Sequence, residues 1–463
     1  MKKMPFLKTL VLIFIFILFG FYLLSQDYNN KYAKYLKDNT PYSLKQFLKS
    51  TIFYVPIKIR EFKKIKNENV VLSRKNYLLG KNNDILQNKL NYGKIQIDKI
   101  HNNFVIKKIV VPFYDESNIY KNIKNGFLEI YNEQIIVFFA KGKIIYFDQN
   151  FSEGEKFTKI NSSLDSKNYF DEKIDWTGVK DVKIKNDTIY LSITREVKSN
   201  CYSPAVLYAK INFSYLDFKY LFKTNECVNT NKAINAFAYF NGYQNGGRII
   251  DLEDSLYVSV GDYNSWELPQ KSESIFGKIL EINLNSNKYK IVSKGHRNHQ
   301  GLSIYSESSK ILISSEHGPK GGDEINIISI NQSIDENNFG WPMASYGNHY
   351  DVVPLNKFTN KSAPLYKSHI KYGYKEPSIY FKESIGPSEI IRNYFSVKNQ
   401  FFLTTLKSKS IFIAEVDEET LKTKIVDKIF IGERIRDIVY NAKKNTYYLY
   451  LENTPYIAEL SKL

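Results

Sequence analysis

The sequence predicts an all-β fold, and three observations carry that prediction. Aromatic side chains are abundant, with 36 Tyr and 31 Phe among 463 residues, and aromatic and β-branched residues suit half-buried pleated surfaces. Short apolar runs follow one another from about residue 100 to the C-terminus. Asn, Asp, Ser and Gly pairs separate them, as tight hairpin loops require. Closely spaced strands of this kind build a sandwich, a barrel or a propeller, and periodicity alone leaves all three open.

Taken in order, the chain begins differently. Thr9–Leu24 (TLVLIFIFILFGFYLL) is an apolar run preceded by Lys2, Lys3 and Lys8. It is near the lower length limit for a spanning helix and also resembles a signal-peptide core with a basic flank. No A-x-A site follows it, so residues 1–26 are expected to be an uncleaved signal anchor. Residues 27–100 are rich in Lys and Asn, with partial helical periodicity up to Val55–Pro56, and read as a basic membrane-proximal stalk. Of the net charge of +17, most lies here: residues 1–100 hold about 19 Lys/Arg against about 6 Asp/Glu. A nucleic-acid-binding face would spread its cations over the folded domain. A basic stalk lying on anionic lipid is the better account, and no nucleic-acid partner is expected.

From about residue 101 the strands begin. NFVIKKIVVPF, GFLEIYNEQIIVFFAKGKIIYF, DVKIKNDTIYLSITREV, GGRIIDLEDSLYVSVGD, KILEINLNSNKYKIV, LSIYSESSKILISSEHG and NQFFLTTLKSKSIFIAEVD each read as strands, with KND, EDS and SESSK as turns. The two cysteines, Cys201 and Cys227, bracket a segment that reads as a hairpin whose ends can meet. In an exported domain such a pair suggests a disulfide.

The chemistry is concentrated between Gly295 and Pro342, where GHRNHQGL, SSEHGPKGGDEIN and NNFGWP lie between apolar runs. Gly-, Pro- and charge-rich strand ends usually build sites. At these residues, and again at Gly246–Arg248, Lys407 and Arg434–Asp437, the sequence resembles the soluble PQQ-dependent aldose dehydrogenases of the glucose/sorbosone dehydrogenase family. The resemblance covers roughly residues 100 to 460 and implies that residues 101–463 form a six-bladed β-propeller.

The resemblance also implies a site. Arg297 and Asn298 of GHRN, with Gln300 and His317, match cofactor contacts. Lys407 in TTLKSKS and Arg434 and Arg436 in GERIRD match the family's cations for the PQQ carboxylates. In the EHGP turn the backbone carbonyls of Gly318 and Pro319 would hold a Ca²⁺ ion, a cation tolerant of irregular oxygen ligation. Asp323 and Glu324 match a second Ca²⁺ site of some members, although the chain beyond Glu324 is longer here. His296, His299 and His317 crowd together, but H-x-x-H on a loop with no matching Cys or carboxylate pattern is poor zinc spacing. His299 stands where Pro is common in the family.

One position departs. In YQNGGRIIDLEDSLYVSVGDY the family's general-base His is matched by Gln244, while Asp262 matches the Asp that orients that base. A neutral amide cannot take the proton that an imidazole takes. The expectation is a PQQ- and Ca²⁺-dependent oxidoreductase acting on an aldose or related alcohol, with Asp262 as candidate base and a separate electron acceptor. The other reading is a propeller that binds sugar, PQQ or a protein but turns over poorly. Hydrolase-type propellers with a central Ca²⁺ held by side-chain carboxylates are not indicated. The resemblance places the large domain in the periplasm, anchored at the inner membrane, or exported if the N-terminal segment is cleaved.

Overall fold

The computed structural model describes residues 92–100, 103–112, 125–165, 169, 177–230, 243–351, 353, 355–454 and 456–463. The apolar run Thr9–Leu24 and most of the basic segment lie outside these residues. No helix among the described residues is long and apolar enough to cross a membrane.

Six sheets, antiparallel except for the short parallel edge strand Tyr215–Leu216, form six blades of a β-propeller. Blade 1 holds Gly126–Tyr131, Gln134–Phe139, Ile144–Asp148 and Thr158–Ser162, with Tyr215–Leu216 added at its edge. Blade 2 is built from Gly178–Lys185, Thr188–Lys198, Cys201–Lys210 and Lys219–Lys223. Blade 3 holds Gly246–Leu252, Ser255–Val260, Lys278–Asn283 and Tyr289–Lys294. Blade 4 holds His299–Ser306, Ile311–Glu316, Asp323–Ser329 and Ile379–Phe381. Blade 5 holds Pro387–Arg392, Gln400–Thr405, Ser410–Val416 and Thr423–Phe430. Blade 6 joins the two ends of the described chain. Ile435–Asn441, Thr446–Leu451 and Tyr456–Lys462 pair onward with Phe104–Val110 and Ile95–Ile100. The sheet therefore already includes residues ahead of position 101.

The expected turns are where the sequence put them. Asn186 and Asp187 of KND take φ of 47° and 56°, and Glu253 of EDS takes 51°, the left-handed conformation of tight hairpins. The strands they join are apolar on both faces because each blade is covered on both sides. In Gln134–Phe139, Ile136 and Phe138 enter the core shared with blade 2, while Ile135, Val137 and Phe139 enter the core shared with blade 6. Each of the six blade-to-blade contacts has a hydrophobic cluster of its own. Period-two alternation thus sorts one strand's side chains into two cores. Burying each large apolar side chain contributes about 1.5–3 kcal/mol.

The innermost strands of all six blades adjoin in a ring around a central channel. Arg248 plugs it. Its guanidinium meets Asp181 at 2.9 Å, Asp437 at 2.5 Å and Glu389 at 2.7 Å. It also donates to the carbonyls of Gln300, Ser388 and Arg436. Asp437 in turn accepts from Leu128 N, and Asp181 from Ile249 N. One buried side chain and its partners therefore touch the inner strand of every blade. A concavity of about 520 Å³ opens at the channel's opposite end from the site described next, lined by Lys183, Asp251, Tyr305 and Arg392 among others.

Candidate active site at the propeller mouth

Propeller topology decides which loops can share a site. The starts of the innermost strands and the loops between second and third strands emerge at the same end. Gln244, Arg297 and Arg434 lie at or just before inner strands, and Arg436 is the second residue of one. Asp262, Gly318 and Lys407 follow second strands. All the motifs singled out from the sequence therefore reach one mouth, although they are up to about 190 residues apart in the chain.

At its centre, Gln244 faces Asp262. Gln244 has φ of 64°, uncommon for a residue with a Cβ and often found where a side chain must be aimed. One end of its amide lies 2.7 and 3.2 Å from the Asp262 oxygens, and the other lies 3.1 Å from Arg297 Nη2. Hydrogen-bond chemistry then assigns the NH2 to Asp262 and the carbonyl to Arg297. Asp262 is fully buried. It also accepts from Asn264 N at 2.8 Å and from Trp341 Nε1 at 2.8 Å. Burial pushes its carboxyl up to about 7, opposed by the Arg297 charge and by these hydrogen bonds.

Arg297 ties this pair to the EHGP turn. Its Nη1 donates to Gly318 O at 2.7 Å and to His317 O at 3.1 Å, and its guanidinium stacks over Trp341. The turn is sharp enough that a Cβ on Gly318 would sit 2.2 Å from Gly322 O, which is why glycine stands there. Asp323 holds it: its Oδ1 accepts from Gly318 N, and its Oδ2 from Ile385 N and Gly386 N. The His317 ring lies in the field of Arg297 and Arg436, and burial above all lowers it to about 4.

The side chains of Asp323 and Glu324, the two residues matched to a second Ca²⁺ site, have different surroundings. Adjacent strand residues point to opposite faces. Asp323 accepts three backbone N–H groups, whereas Glu324 is buried beside Asn326 and His369.

The cations converge in part. Arg436 Nη1 donates to Gln300 Oε1 at 3.2 Å, Gln300 Nε2 to Asn298 Oδ1 at 3.0 Å, and Gly246 N to the same Asn298 oxygen at 3.1 Å. Arg434 and Arg436 share the Glu452 carboxylate. Lys407 is exposed, and its backbone N lies against Gly386, the residue that Asp323 clamps.

Sequence reasoning missed two lysines. Lys180, at the start of the inner strand of blade 2, packs its Cβ against Gly247, where a second Cβ would come within 2.4 Å. Burial, then Lys141 and Arg436, lower the Lys180 amine to about 7. Lys141 is buried and donates to Thr177 O. Nothing in TGVKDVKI marks Lys180, because its role comes from neighbours on two other blades.

This architecture and site agree with what the chain resembles. The glucose/sorbosone dehydrogenase family model matches residues 127–456. An aldose sugar dehydrogenase of Escherichia coli K12 is 28% identical over 213 residues, 42% of this chain and 53% of that protein. Quinoprotein glucose dehydrogenase B of Acinetobacter calcoaceticus is 29% identical over 153 residues, 26% and 30% of the two chains. The chain thus spans about half or less of the length of these curated relatives. Among solved structures, the apo-form of the soluble aldose sugar dehydrogenase of Escherichia coli superposes with a TM-score of 0.57 at 20% identity, covering 80% of this chain and all of that one. The PQQ-bound aldose sugar dehydrogenase of Streptomyces coelicolor gives 0.52 at 16% identity, covering 80% and 99%. These likenesses show the propeller fold. With the family match running from the inner strand of blade 1 into the third strand of blade 6, the chain belongs to the glucose/sorbosone dehydrogenase family.

Proposed function

We propose that the mouth binds PQQ and Ca²⁺ and oxidises an aldose or a related alcohol. The observation that carries this reading is the convergence of Arg297, Asn298, Gln300, Arg436 and the Gly318 carbonyl around the Gln244–Asp262 pair. The donor set suits a flat tricarboxylate. Arg297, Arg434, Arg436, Lys407 and Lys180 belong to this mouth, and its carboxylate Glu452 is already shared by two arginines. The side-chain amines of Lys407 and Lys180 have no hydrogen-bond or ion-pair partner among the described residues. Planar guanidinium forks on Arg297, Arg434 and Arg436 match carboxylates. Gly318 O and Pro319 O are the oxygens offered to Ca²⁺. When bound, the quinone supplies a hydride acceptor.

The chain's own part is to position the sugar and to take its hydroxyl proton. Gln244 can donate and accept hydrogen bonds but cannot carry the proton. Asp262, held near 7 by burial, is matched to neutral pH. It would receive the proton directly or through one water. His317, lowered to about 4, is a weak base. Because Gln244 already occupies Asp262, slow turnover is favoured, and a propeller that binds sugar or PQQ with little catalysis is the second reading. We also propose a membrane-anchored protein with the propeller in the periplasm, supported by the Cys201–Cys227 disulfide, which suits an oxidising compartment.

The test adds PQQ with Ca²⁺ to the purified protein and records the absorption spectrum, calorimetric heat and aldose-dependent dye reduction. Binding with slow reduction is expected. Absence of heat and of spectral change at micromolar PQQ would refute the site. Binding without any reduction would favour the second reading.

A further inference from the structure

Beside Arg297, two imidazoles and a carboxylate meet. His296, His299 and Glu316 are buried, and one ligand-capable atom from each lies within 4.8 Å of the others. We propose that these three residues form a binding site for a divalent first-row transition ion of the zinc type, distinct from the Ca²⁺ and PQQ positions.

The distances support it. His296 Nδ1 is 3.1 Å and His299 Nε2 is 3.3 Å from the same oxygen, Glu316 Oε2. Around an ion with bonds of about 2.0–2.1 Å, neighbouring tetrahedral ligands stand about 3.3–3.4 Å apart. The outer contacts are also of the right kind. His296 Nε2 lies 2.9 Å from Ser293 Oγ, so a proton on Nε2 leaves Nδ1 free to ligate, and the serine fixes the ring as outer partners of ligating histidines do.

A second observation points the same way. His299 is fully buried, and neither of its ring nitrogens has a hydrogen-bond partner. An unmet buried polar group costs about 1–3 kcal/mol. Simple hydrogen bonding does not remove that cost. Glu316 Oε2 can accept from His296, and His296 can pair with Ser293, but the 3.3 Å approach of His299 Nε2 to Glu316 Oε2 is not aligned as a hydrogen bond and His299 Nδ1 has no partner. Ligation through Nε2 gives one of its nitrogens a partner. Burial keeps both imidazoles neutral, the form that binds metals. Glu324 pairs with Glu316 across the strands and adds a second carboxylate nearby. Arg297, Lys278 and Lys375 oppose a cation, so a ligand set with imidazole affinity is favoured over one that relies on charge alone.

The H-x-x-H spacing had been set aside because no carboxylate accompanied it. Strand pairing supplies one: His299 and Glu316 are opposite each other in blade 4. Because Arg297 and Asn298 lie between the two histidines, and His317 and Gly318 follow Glu316, a bound ion would clamp residues of the cofactor mouth.

The test strips the purified full-length protein with EDTA, dialyses it, and titrates Co²⁺, then Zn²⁺. One Co²⁺ per chain is expected, with the visible bands of a four- or five-coordinate ion, displaced by Zn²⁺ and not by Ca²⁺. Zn²⁺ should raise the melting temperature. Ser293→Ala should weaken Co²⁺ binding by about 10–100-fold, and His299→Leu should abolish the bands. His299→Leu replaces an unmet imidazole with an apolar side chain, so the metal-stripped variant should fold at least as stably as wild type. Equal Co²⁺ uptake by wild type and His299→Leu would overturn the proposal. So would a wild type that takes up no ion while the leucine variant is simply more stable.

Discussion

At Gln244 a single side chain sets how the mouth handles a proton. The amide bridges Asp262 and Arg297, so it holds the geometry that an imidazole would hold but lacks the capacity to take a proton. Gln244→His is expected to raise aldose-dependent dye reduction by at least about tenfold, the lower part of what general-base catalysis contributes, with little change in PQQ affinity. In the wild type, dye reduction should rise with pH through about 7, because Asp262 is buried and held up to about that value. The sign for stability is opposite. A carboxyl whose folded value lies above its unfolded value of about 3.9 stabilises at low pH, and that contribution is lost as pH rises through about 7. A fast wild type that Gln244→His slows would place the base elsewhere. Gln244 and Asp262 were legible in the sequence because both sit in one contiguous motif. Lys180 was not, because its lowered amine depends on burial and then on Lys141 and Arg436.

At the scale of elements, the strands were the most legible part. Their aromatic and β-branched runs, and turns such as Asn186–Asp187, state the secondary structure locally. Which strand belongs to which blade is not a local property, and the family motifs supplied the six-bladed count. Adjacent carboxylates are less legible for a related reason: Asp323 and Glu324 look like a pair in the sequence, but a strand sends them to opposite faces. The hairpin between the cysteines was legible and forms as expected, Cys201–Lys210 against Lys219–Lys223. Its ends meet in a Cys201–Cys227 disulfide with Cα atoms 5.4 Å apart. A Cys201→Ser, Cys227→Ser double variant should lose about 2–4 kcal/mol of stability, read from the denaturant midpoint. Wild type treated with reductant should shift to the same midpoint. Unchanged midpoints in both would mean that blade 2 is held by its core alone.

At the scale of the whole molecule, two devices close the ring, and both join residues far apart in sequence. One is blade 6, where Phe104–Val110 pairs with Tyr456–Lys462. The other is Arg248, whose carboxylate partners come from blades 2, 5 and 6. Neither the separation nor the composition of these residues signals a contact, so the hub was invisible until the inner strands were placed. Burial is the largest influence on Asp181 and Glu389 and raises both, Asp181 to about 7, while the guanidinium opposes the rise. Arg248→Met removes the guanidinium that pairs with all three of these buried carboxylates. Breaking a buried ion pair from one side typically costs about 3–5 kcal/mol, and Arg248→Met should destabilise by at least that much at neutral pH. The loss should be pH-dependent. Without Arg248 the folded-state values of Asp181 and Glu389 rise further above their unfolded values of about 3.9–4.3. Groups shifted in this direction favour the folded state more as pH falls, until the unfolded chain is protonated too. Thermal unfolding of the two proteins from pH 8 to pH 5 should therefore show the gap between them narrowing. A gap that stays constant over that range would assign the cost to lost packing, and the channel would then be held by shape instead of by charge.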